Sequence, residues 1–91
     1  MSKIRVILGG SEGRMGRILQ DLISKTNDIE VVLGFDPKKT DLKSFADLMK
    51  GNDSLGNSAD VYVDFTNPNA VLTNVEQASN AGVDSLIGTT G

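Results

Sequence analysis

Hydrophobic positions along the chain follow two alternating rhythms. Ile4 to Leu8 is a short, nearly continuous apolar run of the kind that fills a buried parallel strand. From Gly13 the spacing lengthens. Met15, Ile18, Leu19, Leu22 and Ile23 recur at i, i+3, i+4, i+7 and i+8, which predicts one buried helix face ending near Thr26. Ile29 to Phe35 (IEVVLGF) predicts a second strand. A weaker amphipathic segment follows, with Leu42, Phe45, Ala46 and Met49 on one side and Thr40 or Asp41 as its expected cap. GNDSLGNS, residues 51–58, is a loop by composition. Val61 to Phe65 (VYVDF) predicts a third strand. Asn67-Pro68 then opens a helix whose buried stripe is expected at Val71, Leu72, Val75 and Ala78. Gly82 stops that helix, and Val83 to Ile87 predicts the fourth strand.

Strand and helix in strict alternation imply a parallel sheet with helices on both faces. Right-handed crossovers reduce the topology to a Rossmann-like α/β domain over residues 1–91, with four strands in the order 2-1-3-4 and three helices. The order reverses between strands 1 and 3, and ligands of such sheets bind in the crevice at the carboxyl ends of the strands there. GGSEGRMG, FTNP and GTTG are expected to converge at that crevice.

The first of these segments places Gly10, Gly13 and Gly16 where a strand becomes a helix. A turn that cradles a phosphate needs glycine for the sharp bend, for close backbone approach and for tight helix-on-strand packing. The free N–H groups of the helix's first turn then face the anion. Asp36 stands at the end of the second strand, 20 residues beyond Gly16, where a dinucleotide site places an acid for the adenosine ribose. No Gly-Lys-Ser/Thr follows the glycines, so this is not a P-loop. Asp64 sits near the end of strand 3, as in a phospho-acceptor receiver, but the acidic cluster such a domain needs after strand 1 is missing: only Glu12 lies among the glycines.

Composition narrows the chemistry. The chain has no cysteine and no histidine, which removes a disulfide framework, a thiol nucleophile and the commonest metal ligand and general base. A net charge of −3 offers no basic stripe for nucleic acid or anionic lipid. The N-terminal MSKIRVILGG has no signal-peptide pattern, and no apolar run reaches membrane length, so a cytoplasmic location is the expectation.

Taken in order, GGSEGRMG, the acid of GFDP, VDFTNPNAV and IGTTG resemble the N-terminal half of dihydrodipicolinate reductase, an enzyme of lysine and diaminopimelate biosynthesis. The resemblance covers essentially the whole chain. It implies that Gly10, Ser11, Glu12, Gly13, Arg14 and Met15 hold the pyrophosphate of NADH or NADPH, and that Asp36 holds the adenosine ribose. It places Phe65 and Thr66 beside the cofactor, and Gly88, Thr89 and Thr90 near the nicotinamide, with Thr90 also facing substrate. The segment between Asp36 and VDFT is shorter than in many members. The family's catalytic H-H-x-x-K motif belongs to a C-terminal domain that these residues do not include. The expectation is therefore a cofactor-binding domain without catalytic residues and without reductase turnover of its own.

Two other classes stay open on the residues: a stand-alone dinucleotide sensor and a minimised Rossmann-like scaffold without ligand. On cofactor choice, Asp36 favours NADH, because a 2′-phosphate would meet like charge. Lys38 and Lys39 could offset that repulsion, so dual binding with NADH equal or better is expected. The fourth strand is expected at a sheet edge, where Leu86 and Ile87 invite self-pairing.

Overall fold

The computed structural model describes residues 3–36, 44–50 and 59–88. Four strands form one parallel sheet: β1 (Ile4–Gly9), β2 (Ile29–Phe35), β3 (Val61–Asp64) and β4 (Asp84–Ile87), in the order β2-β1-β3-β4. Three helices accompany them among the described residues: α1 (Arg14–Ser24), α2 (Phe45–Met49) and α3 (Val71–Asn80). Fold class and strand order are as the hydrophobic pattern predicts. The expected cap residues Thr40 and Asp41, together with Leu42 and the loop 51–58, lie outside the described residues. The N-cap of α2 is instead Ser44, whose hydroxyl accepts from the Asp47 N–H at 3.3 Å.

β1 is paired on both edges, and Val6, Ile7 and Leu8 are buried by the clusters packed on the two faces of the sheet. Alternation sends Ile7 and Tyr62 to one face, where they meet Phe45 and Leu48 of α2 and Ala78 of α3. Val6, Leu8 and Val63 point the other way, toward Leu19 of α1. A register shift in β2 joins the two layers. Val6 pairs with Val31, but Ile7 pairs with Leu33, so one extra residue is inserted. That bulge turns Phe35 onto the face of Tyr62, where the rings stack with centroids 5.9 Å apart. Simple alternation from Val31 would have sent Phe35 to the opposite face.

The stripe expected on α1 is corrected by the structure. Ile23 is buried and Leu19 half-buried, but Met15, Ile18 and Leu22 are 51%, 47% and 57% exposed. The reason is geometric: among the described helices α1 lies alone on its face and packs chiefly toward β2. Beside it an apolar groove of about 270 Å³ stays open, lined by Ile4, Val6, Leu19, Val61, Val63 and Leu86. On α3, Leu72 is likewise exposed. Ala78 is buried as expected, and the other buried position is Asn74, whose side-chain oxygen accepts the Phe45 N–H at 3.0 Å and so ties α3 to the start of α2. Asn67 caps the turn before α3 by accepting from the N–H groups of Asn69 and Ala70. No helix among the described residues is long and apolar enough to cross a membrane.

Candidate functional site

The carboxyl ends of β1, β2 and β3 are bound together by main-chain hydrogen bonds. The Phe35 carbonyl accepts from the N–H groups of Gly10 at 2.8 Å and Ser11 at 3.0 Å. The Gly9 carbonyl accepts from Phe65 N–H at 2.9 Å, and the Asp64 carbonyl from Gly88 N–H at 2.9 Å. These links fix the glycine turn, the start of the FTNP segment and the end of β4 relative to one another. Between them lies a pocket of about 300 Å³, lined by Gly10, Gly13, Arg14 and Met15 on one side and by Phe65, Thr66 and Gly88 on the other.

At two glycines a side chain would collide with backbone. Gly10 has φ +79°, and a Cβ there would stand 2.5 Å from the Phe65 carbonyl oxygen. A Cβ on Gly16 would run into the Gly10 carbonyl oxygen, so α1 rests directly on the turn. With Gly13 as the N-cap, the N–H groups of Arg14, Met15 and Gly16 form the first turn of α1 and have no acceptor within the helix. They are at the pocket wall. The arrangement suits an anion: backbone donors at a helix N-terminus beside an open pocket.

Seven of the residues singled out in the sequence therefore meet at one pocket: Gly10, Gly13, Arg14, Met15, Phe65, Thr66 and Gly88. Ser11, Glu12 and Asp36 sit behind the turn. Ser11 is buried and its hydroxyl donates to the Phe35 carbonyl at 3.3 Å. Asp36, also buried, accepts the Glu12 N–H at 3.0 Å, so the acid at the end of β2 props the back of the loop. The Glu12 carboxylate lies 3.9 Å from the Arg17 guanidinium on the exposed side. Thr89 and Thr90 lie outside the described residues.

Sequence reasoning missed Gln20. One turn beyond Gly16, its amide donates to the Ser11 carbonyl at 2.7 Å and to the Gly16 carbonyl at 3.3 Å, clamping the loop to the helix. It also missed the polar cluster under the FTNP segment. Asp64 is fully buried. Its Oδ2 accepts from the Tyr62 hydroxyl at 2.5 Å, and its Oδ1 from the Thr66 N–H at 2.8 Å and the Thr66 hydroxyl at 2.6 Å. Aspartate two residues before threonine is the available signal, since an acid readily accepts the N–H two positions on.

This cluster has a pH signature. Burial, and then the hydrogen bond to Asp64, push the Tyr62 phenol far above its ordinary value. A phenol with a raised folded pKa contributes in full below the unfolded value of about 10, and its contribution is lost as pH rises past that point, by about 1.4 kcal/mol per pH unit. Urea unfolding across about pH 8 to 11 should show this decline, and Tyr62→Phe should flatten it relative to the parent. Tyr62 is the single tyrosine, so its absorbance should change together with unfolding.

Comparison with known proteins bears on what the pocket holds. The model of the family described as dihydrodipicolinate reductase, N-terminus, matches residues 4–91. A 4-hydroxy-tetrahydrodipicolinate reductase of Corynebacterium efficiens is 36% identical over 97% of this chain and 32% of its own length. Proteins of the same name from Lactobacillus acidophilus and Methanospirillum hungatei are 33% and 37% identical, over 96% and 97% of this chain and 36% of each relative. The chain thus spans about a third of the length of the relatives it matches.

Proposed function

The chain belongs to the family of dihydrodipicolinate reductase N-terminal domains, and from that premise we propose that it binds NADH or NADPH across the carboxyl ends of β1 and β3. The observation that carries this reading is the pocket itself, where the first turn of α1 presents backbone donors beside a turn whose Gly10 admits no side chain. Gly10 to Met15 receive the pyrophosphate on this reading, and Asp36 the adenosine ribose. Phe65, Thr66 and Gly88, with Thr89 and Thr90, receive the nicotinamide half, and Thr90 also faces substrate. A nicotinamide dinucleotide bound there supplies a hydride. The residues of this chain bind and orient it.

Reduction of the substrate named by the relatives is part of the same proposal, with the proton donor on residues outside these 91. With no histidine in the sequence, the chain alone is expected to give no reductase turnover. Self-association through β4, at the edge of the sheet with Leu86 and Ile87 exposed, belongs to the proposal too.

Titrating NADH and NADPH into the chain at low and high salt tests the cofactor reading. Both should bind, with NADH equal or better by less than about tenfold, and NADPH should weaken faster as salt rises because its extra phosphate adds a charge interaction that salt screens. Failure of both to bind would end the reading.

A further inference from the structure

The polar cluster beneath FTNP fixes more than the position of the loop. An ionised carboxylate only accepts hydrogen bonds. The Thr66 hydroxyl, 2.6 Å from Asp64 Oδ1, therefore directs its one proton inward, and the neighbouring Thr66 N–H does the same at 2.8 Å. What Thr66 Oγ1 has left is lone pairs. The residue lines the pocket opposite the glycine turn. Its β-branched side chain has little torsional freedom to turn away. Below it, the Tyr62 hydroxyl holds the other carboxylate oxygen, and the ring of Tyr62 is locked by Phe35 and Phe45, so the carboxylate has no room to swing.

We propose that Asp64 is a positioning residue that makes Thr66 a hydrogen-bond acceptor toward the ligand, so that this point of the pocket selects a donor group. The inference rests on the dinucleotide reading above. In the sheet order, the end of β2 with Asp36 and the ends of β3 and β4 lie on opposite sides of the β1 turn. A dinucleotide whose adenosine ribose is at Asp36 therefore reaches Thr66 with its nicotinamide riboside half. That half carries two kinds of donor: the carboxamide N–H and the ribose hydroxyls.

The test is to measure binding of NADH, ADP-ribose and ADP to the full chain and to its Thr66→Val, Thr66→Ser and Asp64→Asn variants. Thr66→Val keeps shape and removes the acceptor, and should weaken NADH by about 3- to 10-fold with ADP unchanged. Thr66→Ser should restore parental affinity. Asp64→Asn turns its amide oxygen to the Thr66 N–H and hydroxyl and its NH2 to the Tyr62 hydroxyl, which can accept. The Thr66 proton then stays inward, and the affinities for NADH and ADP should remain parental. A loss confined to NADH in this variant would show that Thr66 does not take its polarity from these contacts and would overturn the role of Asp64. In Thr66→Val, loss for NADH alone identifies the carboxamide as the donor, and equal loss for NADH and ADP-ribose identifies the ribose hydroxyl. Equal loss for all three ligands in Thr66→Val would mean that Thr66 only supports the fold and would overturn the proposal. So would parental NADH affinity in Thr66→Val. If the parent chain binds none of the three, the dinucleotide reading itself fails, a distinct result from either of these.

Discussion

Replacing Gly16 by alanine is expected to lower dinucleotide affinity by about 100-fold or more while lowering stability by no more than about 2 kcal/mol. Two effects of opposite sign set the second figure. Alanine in a helix is favoured over glycine by up to about 1 kcal/mol, and by less at a first-turn position such as this one. Against this, the new Cβ falls inside contact distance of the Gly10 carbonyl oxygen and 3.0 Å from Ser11 Cα, and overpacking of this kind costs about 1–3 kcal/mol. All the clashing atoms are backbone, so no rotamer change relieves them; α1 must move off the turn. Binding is affected far more than folding, because the displaced groups are the N–H donors of the first helical turn. Hydrogen bonds weaken steeply with angle, and bonds to a charged phosphate contribute about 1.5–3 kcal/mol each, so losing two gives the predicted factor. NADH titration and urea unfolding on the same sample measure both quantities. Parental affinity in Gly16→Ala would show that the pyrophosphate does not rest on α1.

Asp36→Ala should weaken NADH by about 10- to 100-fold and NADPH by less. Asp36 has two roles in the proposed complex, and the two cofactors separate them. It accepts the Glu12 N–H at 3.0 Å from behind the loop, a contact independent of which dinucleotide binds. On the proposed reading it also accepts ribose hydroxyls, which NADPH lacks at the 2′ position, where its phosphate meets the carboxylate as a like charge. Loss of loop support alone would weaken both cofactors equally. Loss of the ribose acceptor penalises NADH and relieves NADPH. If NADH affinity does not change, the assignment of Asp36 to the ribose is wrong.

The alternation of strands and helices, the strand order and the convergence at the pocket were legible because each rests on local pattern: apolar runs of strand length, glycines at the first βα turn, and an Asn-Pro start before α3. What escaped depended on tertiary partners. The spacing of Met15, Ile18 and Leu22 marks one helix face, but whether that face is buried depends on what lies across from it, and no described element covers that flank of α1. The bulge in β2 is invisible in IEVVLGF, since both Val31 and Val32 suit a strand. Asn74 looks like a polar interruption in an apolar stripe until the free N–H at the start of α2 is placed beside it. Asp64 was conspicuous at the end of β3, but its three donors come from Tyr62 and Thr66, two residues to either side, and only the strand's pleat shows that they share its face.

The central position of β1 also governs how the chain assembles in time. β1, which pairs with two strands, is made before either of its partners: Val6 pairs with Val31 on one side and with Val61 on the other. No neighbouring hairpin can protect it meanwhile, because parallel neighbours require a crossover between them. A ribosome must therefore release roughly two thirds of these residues before both edges of β1 are satisfied. Until then Ile7 and Leu8 are open to wrong pairings. Topologies built on such distant contacts fold slowly, since the entropy of closing the long loops comes before any reward from the contacts. For this domain the hazardous interval lies between synthesis of β1 and arrival of β3, and slowing translation across residues 30–60 should lower the yield of native protein more than the same delay placed after residue 65.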